Sequence, residues 1–312
     1  MRKIIMLTAS VLLFRMLQAQ PVAKIRITIL STMLADTRGV GEWGFSALVE
    51  TDSSRILFDV GGRPTTVRDN ADEMKIDLGG IQQVVLSHNH IDHTSGLAAL
   101  RQRFPDGKTF STVYIGSGFF LRDTLAATVG AGIRKPDSLA FAASGGRFLV
   151  VDRFTKIAPG IWLTGPVPRK NPEKNYPPNK VLHVGGSIIE DNVPEDMSMI
   201  IETPKGLVLL TGCGHAGIVN TMEYAQRQFP GQKITAVVGG FHLLAASDEQ
   251  VSWTAGKFKD AGVQYFMGAH CTGLNATYRI RELTGLSKAT CLVGSVGDTF
   301  DLDKGITTGW LR

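Results

Sequence analysis

One stretch, Ser87-His88-Asn89-His90-Ile91-Asp92-His93, constrains this 312-residue chain more than any other. It follows the apolar run 81–86, which reads as a buried strand, and it precedes helical spacing at Leu97, Leu100 and Phe104. Thr94 is placed to cap that helix. Side chains two apart in an extended segment point the same way, so His88 and His90 can hold one ion together. A turn after Ile91 swings Asp92 and His93 toward a second position. Imidazole with carboxylate suits zinc, as one ion or two, with iron or manganese as substitutes. Three unrelated surface histidines on a loop would leave the interposed aspartate and the spacing without a reason. The fold must therefore be one in which strand ends converge on a cleft.

The first 19 residues set the expected compartment. Arg2 and Lys3 precede the apolar run 4–14, and Leu17-Gln18-Ala19 offers a cleavage point. That is the pattern of a signal peptide over 1–19, and it predicts export to the periplasm or secretion. An uncleaved anchor is the alternative, since Arg15 falls late in the segment. The run is shorter than the ~20 residues that span a bilayer, so no stable membrane insertion is expected once the leader is removed. The formal charge of +5 includes Arg2, Lys3 and Arg15, which leaves +2 on residues 20–312. So small a charge gives no reason to expect nucleic acid as a partner; a small-molecule substrate is expected instead. With 43% hydrophobic and 20% charged residues, 20–312 can bury a substantial core, and no linker-like shift divides it, so it reads as one domain. Three cysteines, Cys213, Cys271 and Cys291, are too few and too odd a number for a disulfide-stapled exported domain.

Strand patterns appear at 24–30, 45–49, 55–60, 81–86, 112–115, 148–151, 161–164, 197–202, 207–211, 234–238, 263–267 and 289–293. Helical patterns fall at 65–74, from 94 through Phe104, and at 215–228, 248–260 and 274–283. Residues 165–180, rich in proline and basic side chains, read as a long surface loop. Strands and helices in both halves suit an α/β (α+β) four-layer sandwich, with helices outside two facing sheets.

The His-x-His-x-Asp-His run after a buried strand resembles the signature of the metallo-β-lactamase superfamily. Thr211-Gly-Cys-Gly-His-Ala-Gly217, Gly239-Gly-Phe-His-Leu243 and Gly268-Ala-His-Cys-Thr-Gly273 narrow the resemblance. Together with Glu42-Trp-Gly-Phe-Ser46, Phe58-Asp-Val-Gly61 and Thr164-Gly-Pro-Val-Pro-Arg169, they are similar to the branch containing the dihydropterin-linked ribofuranosylaminobenzene 5'-phosphate synthases. The similarity runs from about Ile25 to Asp301 and implies an αβ/βα sandwich with a one- or two-metal site between the sheets. It assigns His88 and His90 to a first metal, and Asp92 and His93 to a second. It makes His215 a further ligand, against a helix-capping role, and lets His270 complete the second site. His242 is a ligand or substrate contact, or ordinary packing. Cys213 stands where many members carry a bridging aspartate; it is a metal ligand or a buried inert thiol. Cys271 and His183 read as structural, Asp59 as a residue holding the metal-binding loops, and Trp43 and Arg169 as lining the cleft.

The resemblance implies a metal-dependent hydrolase of esters, lactones or phosphodiesters, with Asp92 and His93 as catalytic groups and Asp92 accepting a proton from water. A transferase like the synthases and a metal-binding protein without turnover are the alternatives. The leader-like segment weighs against the first, and the complete motif against the second.

Overall fold

The structure, a computed structural model, describes residues 21–121 and 132–309; the expected signal peptide lies outside them. Alternation in the first strands sets the architecture. In β1 (Ile25–Ser31), Ile25, Ile27 and Ile29 face one core; in β2 (Ser46–Thr51), Ala47 and Val49 do so; in β3 (Arg55–Phe58), Ile56 and Phe58. Leu48 and Leu57 point to the other side. Because the side-chain period of a strand is two, each apolar strand here is sandwiched between two cores.

β4 (Gln83–Leu86), β5 (Thr112–Gly116) and β6 (Arg147–Val151) continue this sheet in parallel from β3. The second sheet is built from β7 (Thr155–Ala158), β8 (Ile161–Leu163), β11 (Met199–Thr203), β12 (Gly206–Thr211), β13 (Ile234–Gly239), β14 (Tyr265–Gly268) and β15 (Cys291–Val293). Between β8 and β11 lies a hairpin of β9 (Val181–Val184) and β10 (Ser187–Glu190). β16 (Thr299–Asp301) and β17 (Gly305–Thr307) return to the first sheet, where β16 pairs with β1. The strand orders are β17-β16-β1-β2-β3-β4-β5-β6 and β15-β14-β13-β12-β11-β8-β7.

Ile27, Val49, Phe58 and Val85 of the first sheet share one core with Met199, Val208, Leu210 and Val238 of the second. Each large apolar side chain fully buried there contributes about 1.5–3 kcal/mol. Helices Thr66–Glu73, Leu97–Arg103 and Lys135–Ala143 cover the outside of the first sheet through Val67, Leu100 and Phe141. Helices Ile218–Gln228, Asp248–Ala261 and Leu274–Thr284 cover the second through Met222, Phe258 and Ile280. The result is the four-layer α/β sandwich.

The sequence expectations differ from the structure at several points. Thr94 does not cap a long helix. It ends a separate turn, Ile91–Thr94, where its hydroxyl donates to the His90 carbonyl at 2.9 Å, and the next helix starts after Gly96. The helix expected from His215 starts at Ile218. Helix Lys135–Ala143 and strands β7, β9, β10, β16 and β17 carry patterns too short or too exposed to read in advance. Residues 165–180 contain neither helix nor strand, as expected, yet Val167, Glu173 and Asn175 within them are buried. Among the described residues no helix is long and apolar enough to cross a membrane.

Candidate metal centre

Every candidate donor lies where a parallel strand ends. β3 runs into Asp59, β4 into Ser87 and His88, β12 into the turn carrying Cys213 and His215, β13 into that carrying His242, and β14 into His270. Carboxyl ends of parallel strands form the crevice in which α/β sheets place their ligands. Gly212 allows the two sheets to meet there, because a Cβ at that position would sit 2.1 Å from Ser87 Oγ and 2.6 Å from Asp59 Oδ2.

The first donor group is aimed by hydrogen bonds from behind. Ser87 Oγ donates to Asp59 Oδ2 at 2.8 Å and so accepts from Nδ1 of His88 at 2.9 Å. His88 Nε2 then faces inward, 3.0 Å from Nδ1 of His90. His215 donates from Nδ1 to the Asn175 carbonyl, and its Nε2 is buried with no hydrogen-bond partner. The ring of His215 is 4.7 Å from that of His88 and 5.0 Å from that of His90. Burial, with His90 and His242 beside it, holds His215 well below the usual imidazole range, so it is neutral, as a ligand must be.

The second group faces the first. Asp59, at φ 54° and fully buried, binds Ser87 N–H at 2.7 Å and His93 Nδ1 at 2.7 Å. His93 Nε2 lies 3.1 Å from Cys213 Sγ and 3.8 Å from Asp92 Oδ2. His270 Nε2 approaches the same Asp92 oxygen at 3.1 Å but lacks hydrogen-bond alignment with it. Burial disfavours the His93 cation, but the Asp92 and Asp59 carboxylates outweigh it and raise His93 to about 9. Burial likewise opposes ionisation of Asp92, and the His93, His270 and His90 rings more than offset that, keeping it a carboxylate.

Cys213, 2% exposed, stands between the groups. It is within 4.8 Å of donor atoms in three sets: Asp92, His93 and His270; His88 and His215; and His242 and Cys271. A fourth set is His88, His90 and Asp92. All eight sequence candidates, His88, His90, Asp92, His93, Cys213, His215, His242 and His270, therefore converge. Inward-facing nitrogens crowded at 3.0 Å, with orphaned buried nitrogens on His215, His242 and His270, are a donor set that fits a cation. His88, His90 and His215 would hold one ion, and Asp92, His93 and His270 a second, with Cys213 between them.

Asp59 supports the centre as expected. Trp43, half exposed, packs its ring 4.8 Å from that of His270 at the mouth of the site. The Arg169 guanidinium donates to the carbonyls of His215, Asn192 and Val193 and ties the long loop down. His183 is exposed on β9 and joins no donor set. Sequence reasoning missed three supports that carry no motif. Asn175 orients His215. Glu173 accepts from the N–H groups of Val219 and Asn220 at 3.1 and 2.8 Å, capping a helix whose own N-cap, Gly217, has no side chain. Asp196 accepts from Ala216 N–H at 2.8 Å beside His215, and burial pushes its carboxyl up to about 7.

Two helix-covered sheets with a histidine-, aspartate- and cysteine-lined centre at their parallel strand ends define a metallo-β-lactamase sandwich. The chain belongs to the metallo-beta-lactamase superfamily. The profile of that superfamily matches residues 44–119. The 7,8-dihydropterin-6-methyl-4-(beta-D-ribofuranosyl)-aminobenzene-5'-phosphate synthase of Methanocaldococcus jannaschii is 31% identical over 256 residues, 77% of this chain and 84% of that protein. An uncharacterized protein of the same organism is 32% identical over 259 residues, 82% of this chain and 94% of that protein. A solved metal-dependent hydrolase of the beta-lactamase superfamily superposes with a TM-score of 0.69 at 26% identity, covering 88% of this chain and 98% of its own.

Proposed function

We propose that this protein is a metal-dependent hydrolase that directs water onto an ester, lactone or phosphodiester bond of a small molecule. One observation carries the reading: six imidazole and carboxylate side chains from three strand ends turn their donor atoms inward, and the buried Nε2 atoms of His215 and His270 have no hydrogen-bond partner. When bound, zinc, iron or manganese in one or two positions would acidify water and polarise the electrophile. Asp92 is 15% exposed while His93 and His270 are fully buried, so it is the carboxylate that meets the cleft and can take the proton from water. Asp59 and Asn175 fix the ring orientations of His93 and His215. Trp43 shields the His270 side from solvent. The leader-like segment 1–19 supports action in the periplasm or outside the cell, and the small net charge supports a small molecule rather than nucleic acid as partner.

A transferase activity is the second reading, favoured by the 31% identity to the synthase. Purification without chelators, elemental analysis, and assay on ester, lactone and phosphodiester panels separate the two. Hydrolysis that disappears with bound metal in His88→Ala supports the first. Unaltered metal content in that variant would overturn the assignment of the centre. Synthesis of the dihydropterin conjugate with no hydrolysis would favour the second.

A further inference from the structure

Behind the histidine and aspartate groups lies a third set of donors that the hydrolytic reading does not use. Cys213 Sγ, Cys271 Sγ and a ring nitrogen of His242 lie within 4.8 Å of one another. Both thiols are nearly inaccessible, at 2% and 1% exposure, and neither is in a disulfide. Donors of one tetrahedral zinc sit roughly 3.3–3.8 Å apart, given Zn–S and Zn–N bonds of about 2.3 and 2.0 Å. A contraction of at most about 1.5 Å would therefore seat one ion.

Three further observations point the same way. His242 has φ 48° and His270, the residue before Cys271, has φ 47°, left-handed values that non-glycine residues adopt at a cost and that concentrate at functional sites. The His242 N–H donates to Cys271 Sγ at 3.3 Å, which binds the imidazole-bearing turn to the sulfur. His242 Nδ1 is buried without a hydrogen-bond partner, and its ring stands 4.7 Å from that of His215, so the set abuts the main centre. Gly240 lets the turn close on this set, since a Cβ there would sit 2.1 Å from the Gly212 carbonyl oxygen and 3.0 Å from Cys271 Sγ.

We propose that Cys213, Cys271 and His242 form a soft-donor subsite for a thiophilic divalent cation such as zinc or cadmium, sharing Cys213 with the histidine and aspartate centre. Two thiolates and an imidazole select such an ion over manganese or magnesium, and three protein donors leave a fourth position open. Sharing Cys213 makes the subsite compete with any use of that sulfur between the other two positions.

The test uses the full chain and two probes, cobalt(II) and cadmium(II), added alone. In the wild type, cobalt gives a near-ultraviolet sulfur-to-metal band of two-thiolate intensity, and X-ray absorption at one equivalent of cadmium counts two sulfurs per ion. Cys271→Ser halves the cobalt band, and His242→Ala weakens cadmium binding by about tenfold or more, since removing one of few ligands costs at least what loss of a ligand's supporting partner does. His88→Ala leaves the sulfur band in place, which separates failure of the subsite from failure of the hydrolase reading. Zero or one sulfur per cadmium in the wild type overturns the proposal, whether or not the variants fold. So does a cobalt band unchanged in Cys271→Ser.

Discussion

Replacing Asp59 by asparagine exchanges one carboxylate oxygen for an NH₂ group and should disturb both halves of the metal centre, the His93 half directly and the His88 half through Ser87. Asp59 Oδ1 accepts from the Ser87 backbone N–H at 2.7 Å, and Oδ2 accepts from Ser87 Oγ at 2.8 Å and faces His93 Nδ1 at 2.7 Å. A backbone N–H cannot reverse its role, so the asparagine oxygen must stay on the Ser87 side. Its NH₂ group then faces His93 Nδ1, which must become an acceptor. The proton of the neutral ring is then held on Nε2, the nitrogen 3.1 Å from Cys213 Sγ that an ion would have to find bare. Losing a carboxylate behind a metal-bound histidine costs about 10–100-fold in affinity, or roughly 1.4–2.7 kcal/mol. A buried hydrogen bond to a charged group, worth about 1.5–3 kcal/mol, gives the same range by an independent route. Zinc titration against a chromophoric chelator should show the weaker of two binding steps lost or shifted by that factor. Ser87 Oγ loses the same acceptor and must accept from the NH₂ group instead, which turns its own proton toward His88 Nδ1. The step assigned to His88, His90 and His215 should therefore weaken as well. Two steps of wild-type affinity in Asp59→Asn would refute the tautomer argument.

Other outcomes follow from the supports around the centre. Burial pushes Glu173 up to about 7, against 4.5 for the free side chain. Between those values the folded protein keeps a proton that the unfolded chain has released, so stability should fall as pH rises from about 4.5 to 7 and level off above it. Chemical denaturation from pH 5 to 8 should show this decline to be about 1–3 kcal/mol smaller in Glu173→Gln; equal slopes would remove Glu173 as the cause. Gly217→Ala should destabilise by about 2–4 kcal/mol, combining a positive-φ penalty with overpacking. Gly217 has φ 96°, and its added Cβ would lie 2.2 Å from Glu173 Oε2. A thermal scan within about 1 °C of wild type would contradict that steric reading.

Much of this architecture could be read in the order of residues. The apolar alternation of β1 to β3 and the near-continuous apolar runs of β12 and β13 announce strands buried on both faces, and the histidines fall at their ends. What escaped is what local pattern cannot encode. β10 is exposed throughout and β16 buries only Phe300 in three residues, so neither shows a repeating buried face. Thr94 has a cap's chemistry, but tertiary packing inserts a separate turn before the helix. Glu173 and Asn175 reach the site from a proline-rich loop, 46 and 40 residues from Val219 and His215, their partners. Cys271 reads as a structural thiol in sequence, and only the pairing of β13 with β14 brings it to His242.

The placement of the donors at the ends of successive parallel strands has a kinetic consequence. β12, β13 and β14 are each separated by a helix, and the first donors belong to the opposite sheet, so the set spans residues 88 to 270. No short piece of chain holds more than part of it. The barrier to folding must then be crossed before the full donor set exists, because loops of this length close late. A cation should act as a brake on escape from the native state rather than as a nucleus for reaching it. In stopped-flow experiments, zinc should slow unfolding in proportion to its occupancy and leave the refolding rate close to that of the metal-free chain.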